Sequence, residues 1–220
     1  MSLFKVSPEK IKYTDISKIP PDFTEKMNRE YNWMARIYDI FMLLFPLWKK
    51  WIKPVIPHIS GSKILEVSFG TAYLMTQYAR EDLEIYGIDF NQKMLELATK
   101  KMESNNIKAT LSLASVEKLP FPDNTFDTVI NTMAFTAYPD GDKAMSELKR
   151  VLKQNGRLLL VDIDYPIDRN YCGYLMVRLW EKLGDIIKDI PSLLEKYDFE
   201  YQNFRAGGFG SVHLFVARKK

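Results

Sequence analysis

Lys63-Ile64-Leu65-Glu66-Val67-Ser68-Phe69-Gly70-Thr71-Ala72 is the stretch that decides the fold. A short apolar run feeds a turn containing one glycine, and Thr71 is placed to cap a helix running to about Arg80. The same unit then recurs. Glu84 to Asp89 reads as a second strand, and Asn91 as the N-cap of a helix over Gln92 to Met102, with Met94, Leu95 and Ala98 on one face. Lys108 to Ala114 and Phe126 to Asn131 read as the third and fourth strands. Asp140 to Leu152 reads as a helix with Met145, Leu148 and Leu152 inward, stopped by Asn155-Gly156, and Arg157 to Ile163 as the fifth strand. Strands alternating with helices predict an α/β domain: a mostly parallel sheet with helices on both faces.

The flanks differ from this pattern. Asp189 to Tyr197 reads as a helix. Phe199 to Arg205 and Ser211 to Arg218 are strands joined by a glycine-rich link, which predicts a closing antiparallel hairpin and a seven-stranded sheet. Residues 1–60 read as a helical extension, most regular from Tyr31 to Ile52, ahead of a main domain over 61–220. Residues 165–188 are the least periodic interior part and read as a lid or insertion.

Composition narrows the function. The chain has 220 residues, 46% apolar and 27% charged, the profile of a globular protein with a real core. Its single cysteine, Cys172, excludes a disulfide framework, and two histidines, His58 and His213, argue against a metal site or a Ser-His-Asp triad. A reducing, cytoplasmic setting is expected. The longest apolar run, Ile40 to Trp48, is interrupted by Pro46 and falls short of the ~18 residues of a spanning helix. The net charge of +3 is too mild to imply nucleic acid. Residues 1–53 hold ten basic and six acidic side chains, so the positive excess lies there, beside Trp48 and Trp51. That basic, aromatic run over 41–53 has two readings: a weak membrane-surface contact, or packing against the domain with the lysines in water.

Open parallel sheets bind ligands beyond the carboxyl ends of their strands. Here the first strand ends at Ser68-Phe69-Gly70, and the second at Asp89, nineteen residues past Gly70. A carboxylate at that place can accept both hydroxyl hydrogens of a ribose, which reads as an adenosine site; the alternative is that Asp89 caps the next helix.

Ile64-Leu65-Glu66-Val67, Gly87-Ile88-Asp89, the run from Glu117-Lys118-Leu119-Pro120-Phe121-Pro122 to Asp127, and Glu147 to Lys153 with Gly156 occur in order over residues 63–220. In these the chain resembles the class I S-adenosylmethionine-dependent methyltransferases, in the branch that includes the ubiquinone/menaquinone C-methyltransferases and small-molecule methyltransferases. Tyr38-Asp39 resembles that branch more weakly. The resemblance implies a Rossmann-like fold and S-adenosylmethionine as cofactor, with S-adenosylhomocysteine as product. It assigns cofactor contacts to Tyr38, Glu66, Ser68, Gly70, Thr71, Asp89, Phe90, Met94, Ser115, Val116 and Asn131.

Two departures stand out. The family usually carries Glu-x-Gly-x-Gly-x-Gly, and this chain has Ser68, Gly70 and Ala72 at the glycine positions, with Phe69 bulkier than usual. Ser68 would either crowd the cofactor or hydrogen-bond it. The family often has Asp-Ala after the third strand, where this chain has Ser115-Val116, so the bond from the adenine amino group loses charge assistance.

Methyl transfer needs mainly positioning, water exclusion and a competent nucleophile. No catalytic residue stands out. Asp164, Tyr165 and His213 are candidate bases, each with a structural reading beside it. Tyr165, Tyr171, Tyr174, Met176 and Trp180 suggest an aromatic pocket for an apolar, planar or lipid-like acceptor. Two rivals remain: a catalytically silent cofactor-binding protein, supported by Ser68, Phe69 and Ser115, and a nicotinamide-dependent oxidoreductase, disfavoured because Gly-x-Gly-x-x-Gly is absent.

Overall fold

Branched apolar residues at alternate positions need two covered faces, and the sheet supplies them. In the computed structural model, which describes residues 5–15, 17, 19–34 and 46–220 (without the side chains of 31, 33, 34 and 46), seven strands form one sheet. They are β1 (Lys63–Val67), β2 (Glu84–Asp89), β3 (Ala109–Leu113), β4 (Phe126–Thr132), β5 (Leu152–Ile163), β6 (Phe199–Gly207) and β7 (Val212–Lys219). Their order is β3-β2-β1-β4-β5-β7-β6; β7 runs antiparallel to both of its neighbours and the remaining pairs are parallel. The order reverses between β1 and β4, and that is where a crevice opens at the strands' carboxyl ends.

The helices are α1 (Phe23–Met34), α2 (Pro46–Ile52), α3 (Met75–Tyr78), α4 (Gln92–Ser104), α5 (Gly141–Val151), α6 (Tyr171–Leu183) and α7 (Ile190–Lys196). Leu65 and Val67 of β1 pack in a layer with Met145 and Leu148 of α5 and Leu194 of α7. Ile64 packs on the other face, with Ile52 of α2, Met75 of α3 and Ala98 of α4. Side-chain oxygens cap four of these helices: Asn91 on Met94 N–H, Asp140 on Lys143 N–H, Asn170 on Gly173 N–H and Asp189 on Ser192 N–H.

Two expectations need correction. Thr71 caps no helix; the turn after β1 runs through Ala72 at φ +56°, and the helix that follows is one turn long and lacks a side-chain cap. Residues 165–188 are more regular than their sequence suggested: α6 carries apolar residues on both sides. Val177 is buried while Tyr171, Leu175, Leu179 and Leu183, four residues apart, are exposed, so an apolar stripe faces away from the buried side. Within residues 1–60, read as a helical extension most regular from Tyr31 to Ile52, the described helices are α1, which begins at Phe23, and α2; residues 35–45, with Tyr38 among them, lie outside the described residues.

The extension is tied to the domain by polar contacts. Asn91 Nδ2 donates to Asn28 Oδ1 (2.7 Å) and Asn32 Oδ1 (3.0 Å) on α1. Trp51 of α2 lies so close to Gly207 that a Cβ there would sit 2.0 Å from its Nε1. The ammonium groups of Lys49 and Lys53 lie over the Tyr73 ring, at 5.0 and 5.8 Å from its centroid. Trp48 and Trp51 are half-buried and contact each other, with Trp180 against Trp48.

Candidate functional site

The loop after β1 holds a strained backbone. Ser68, Gly70 and Ala72 all take the left-handed conformation, with φ of +54°, +56° and +56°. A non-glycine residue there costs roughly 1–2 kcal/mol, so Ser68 and Ala72 occupy glycine geometry at a cost the surroundings must offset. Phe69 does not crowd the crevice. It turns into the sheet layer, where it is 5% exposed and lies against the bare Cα of Gly87; a Cβ on Gly87 would come 2.7 Å from its Cδ1.

A cavity of about 360 Å³ lies over the carboxyl ends of β1, β2 and β4, within the ~300–1,000 Å³ of small-molecule sites. Seven of the expected cofactor residues line it: Ser68, Gly70, Asp89, Phe90, Met94, Ser115 and Val116. Glu66, Thr71 and Asn131 do not; they stand behind its wall, each at most 2% exposed.

Asp89 joins the two strand ends. Its Oδ2 accepts the Gly70 N–H and its Oδ1 the Asn91 N–H, both at 2.9 Å. Burial raises its carboxyl to about 6, against the pull of these backbone donors. The Phe90 N–H is a third backbone donor; a carboxylate offers about four lone-pair sites, so the group can brace the loop and still accept from a ligand. Asp89 thus both ties the backbone and faces the cavity.

Ser68 is engaged rather than idle. Its Oγ lies 2.7 Å from the Tyr138 hydroxyl, which also accepts from Asn131 Nδ2 at 2.5 Å. The Ser68 and Tyr138 hydroxyls can each donate to the other; where Tyr138 donates, the Ser68 hydrogen is left to turn toward the cavity. Tyr138 was not singled out in the sequence, since a tyrosine before Pro139 carries no local signature.

Glu66 is a carboxyl with almost no water. Burial raises it to about 8, opposed by the neighbouring Tyr78 hydroxyl, and its Oε2 has no hydrogen-bond partner among the described residues. Thr71 Oγ1 accepts from Lys101 Nζ at 3.0 Å.

The three candidate bases lie elsewhere. Asp164 accepts from the Tyr13 hydroxyl (3.2 Å) and the Tyr165 N–H (2.6 Å), and burial raises it to about 7. The Tyr165 hydroxyl donates to Lys12 O. His213 is 1% exposed, pairs with Asn203 and is pushed down to about 4 by burial. None of them lines the cavity; Asp164 and Tyr165 fasten residues 12–13 to the domain. Among the described residues, no cluster of His, Cys, Asp or Glu could hold a metal ion, and no helix is long and apolar enough to cross a membrane.

Residues 65–160 match the methyltransferase domain family. The chain is 28% identical over 185 residues to the ubiquinone/menaquinone biosynthesis C-methyltransferase UbiE of Psychromonas ingrahamii, covering 78% of this chain and 72% of that one. It is 29% identical over 152 residues to the demethylmenaquinone methyltransferase of Thermotoga maritima, covering 66% and 65%. The chain thus spans about two thirds of the length of these relatives. Its fold resembles the crystal structure of an S-adenosylmethionine-dependent methyltransferase from Thermotoga maritima, with a TM-score of 0.63 at 17% identity over 85% of this chain and 98% of that one. Matched domain, ordered motifs and sheet order agree: residues 65–160 match a methyltransferase domain, and the chain is similar to S-adenosylmethionine-dependent methyltransferases.

Proposed function

We propose that this methyltransferase binds S-adenosylmethionine in the cavity at the β1–β4 crevice and methylates a small, planar, hydroxylated aromatic acceptor of the quinol type. One observation carries the reading. Asp89 faces the cavity while bonding Gly70 N–H, so the ribose acceptor and the loop that approaches the methionine portion are set by the same carboxylate. Ser68 and Gly70 would face the methionine portion, Asp89 the ribose, and Phe90, Ser115 and Val116 the adenine. The Ser68 hydroxyl becomes a donor suited to a carboxylate when Tyr138 donates to it. The bound group supplies an electrophilic methyl on a sulfonium, whose bond to sulfur breaks as the bond to the acceptor forms.

The rest of the wall suits an apolar acceptor. Trp48, Met133, Ala137, Trp180 and Leu183 line it, and its surface is largely apolar. Aromatic and thioether side chains bury a flat ring well, and they exclude water from the transfer. The relatives named for ubiquinone, menaquinone and demethylmenaquinone support this acceptor class. Trp48 and Trp51, half-buried against Trp180 and Gly207, favour a role for α2 in closing the pocket over one at a membrane surface.

The test is calorimetry with S-adenosylmethionine, S-adenosylhomocysteine and NAD, followed by methyl transfer to reduced 1,4-naphthoquinone. Heat with the first two and none with NAD is expected. Cofactor binding without transfer to any quinol would favour the silent-binder reading, and absence of heat at millimolar cofactor would refute both.

A further inference from the structure

α6 ends where Gly184 takes φ +111° and the Asp185 N–H returns to Trp180 O at 3.1 Å. This Schellman-type closure fixes the backbone at Asp185. The following residues are fastened to the segment after β4: Ile186 N–H donates to Thr136 O (2.8 Å), and Lys188 Nζ to Phe135 O (2.9 Å). Asp185 is thereby held on the cavity wall beside Trp180, with its Oδ1 2.7 Å from Thr136 Oγ1.

That hydroxyl has one hydrogen and two carboxyls to serve. Asp162 Oδ1 lies 3.0 Å away on the other side. Asp162 is fully buried and already accepts the N–H groups of Phe135, Thr136 and Ile163, a donor set that suits a carboxylate. The hydrogen can turn to either carboxyl: toward Asp185 it favours the carboxylate, and turned to Asp162 it leaves Thr136 Oγ1 to accept a proton placed on Asp185. The groups facing Asp185 are thus Thr136, Asp162 and, from the same loop, Lys188, whose ammonium burial lowers to about 8. Burial and the Asp162 charge raise Asp185 to about 6, against Thr136 and Lys188, so it is ionised at neutral pH yet basic enough to take a proton.

The other carboxyls on the wall are otherwise placed. Asp89 holds Gly70 and Asn91, Glu117 accepts the Asp140 N–H, and Glu30 is exposed on α1.

We infer that Asp185 is the catalytic base, taking the hydroxyl proton of a phenol or hydroquinone bound beside Trp180; this rests on the methyl-transfer reading above. The acceptor's O–H bond breaks and its proton goes to the Asp185 carboxylate. The electron pair left on oxygen is delocalised to the adjacent ring carbon, which bonds the methyl, while sulfur keeps the pair of the bond that breaks. The ring regains aromaticity by losing its C–H proton to water.

Binding and turnover test this separately. With S-adenosylhomocysteine bound, so that no transfer occurs, 1-naphthol should bind the protein about tenfold more tightly at pH 7 than at pH 5, following the ionised fraction of a group at about 6. Asp185→Asn keeps an acceptor for Thr136; it should bind S-adenosylhomocysteine unchanged, bind 1-naphthol more weakly and lose the pH dependence. With S-adenosylmethionine and reduced 1,4-naphthoquinone, the variant should be roughly 10²–10⁴-fold slower. Equal naphthol binding and equal rates in the two proteins overturn the inference and leave the methyl-transfer reading standing. Asp185-dependent naphthol binding with no transfer by the unmodified protein overturns the methyl-transfer reading instead, and the catalytic role with it.

Discussion

Glu66→Gln should change how stability depends on pH, and by an amount the structure sets. Glu66 is 2% exposed, and its carboxyl titrates at about 8 rather than at the ordinary 4.5. A raised carboxyl means that the native state holds a proton which the unfolded chain releases, so stability falls as pH rises between these two values. Over pH 5 to 8 the loss from this one group is about 3.5 kcal/mol, at 1.36 kcal/mol per pH unit with rounding at both ends. Glutamine is neutral throughout and removes that slope. The variant should match the parent near pH 5 and melt roughly 7–14 °C higher at pH 8, at ~2–4 °C per kcal/mol for a chain of this size. Asp89, Asp164 and Asp185 are also raised, to about 6, 7 and 6, and tilt the parent curve the same way; the difference between the two proteins isolates Glu66. Thermal melts by circular dichroism at half-unit pH steps would measure it. Parallel curves for the two proteins would refute the argument and show that Glu66 is ionised and solvated.

Asp89→Asn should weaken S-adenosylmethionine binding about tenfold to a hundredfold, from the roughly 1.5–3 kcal/mol of a hydrogen bond to a charged group; unchanged calorimetric affinity would leave Asp89 as a backbone brace alone. Ser68→Gly relieves a left-handed serine but loses its bond to Tyr138 and adds unfolded-state entropy, so the melting temperature should change little while cofactor binding weakens by about 1 kcal/mol through loss of the hydroxyl; tighter binding would mean that the serine is an obstruction. Gly207→Ala should destabilise the protein by roughly 1–3 kcal/mol, because the new methyl meets the rigid Trp51 ring; an unchanged melt would show α2 loosely docked.

The sheet was readable because its signals are local. β2 is a short apolar run followed by a helix that Asn91 caps where the sequence placed the cap, and the helices read from Asp140 and Asp189 begin there, with those aspartates as their caps. The end of the cavity where the cofactor is proposed to lie was readable as a lining for the same reason, since Ser68, Gly70, Asp89 and Ser115 sit at strand ends in fixed order. The acceptor end was not. Asp185 and Tyr138 take their places from contacts between segments far apart in the chain: Asp185 meets Thr136 across 49 residues, and Tyr138 meets Ser68 across 70. One signal for Asp185 was present, the Leu183-Gly184 pair that ends α6 and fixes the residue after it.

The same long-range contacts account for the departure at Ser68. A side chain at φ +54° is disfavoured unless something offsets the strain, and here the hydroxyl joins Tyr138 and Asn131 in one chain of hydrogen bonds. Asn131 lies on β4, next to Val67 on β1 in the parallel register, and Tyr138 follows the turn after β4. The chain therefore bridges the two strands at which the sheet order reverses, the place where a crevice would otherwise part them. In the glycine version of this loop, backbone freedom alone sets the loop's shape; here a buried phenol sets it from the far side of the crevice. A change at Tyr138 or Asn131 should then be felt at Ser68, although neither is its neighbour in sequence. The loop that approaches the cofactor and the segment that carries Thr136 toward Asp185 are thus parts of one hydrogen-bonded frame, with the cavity between them.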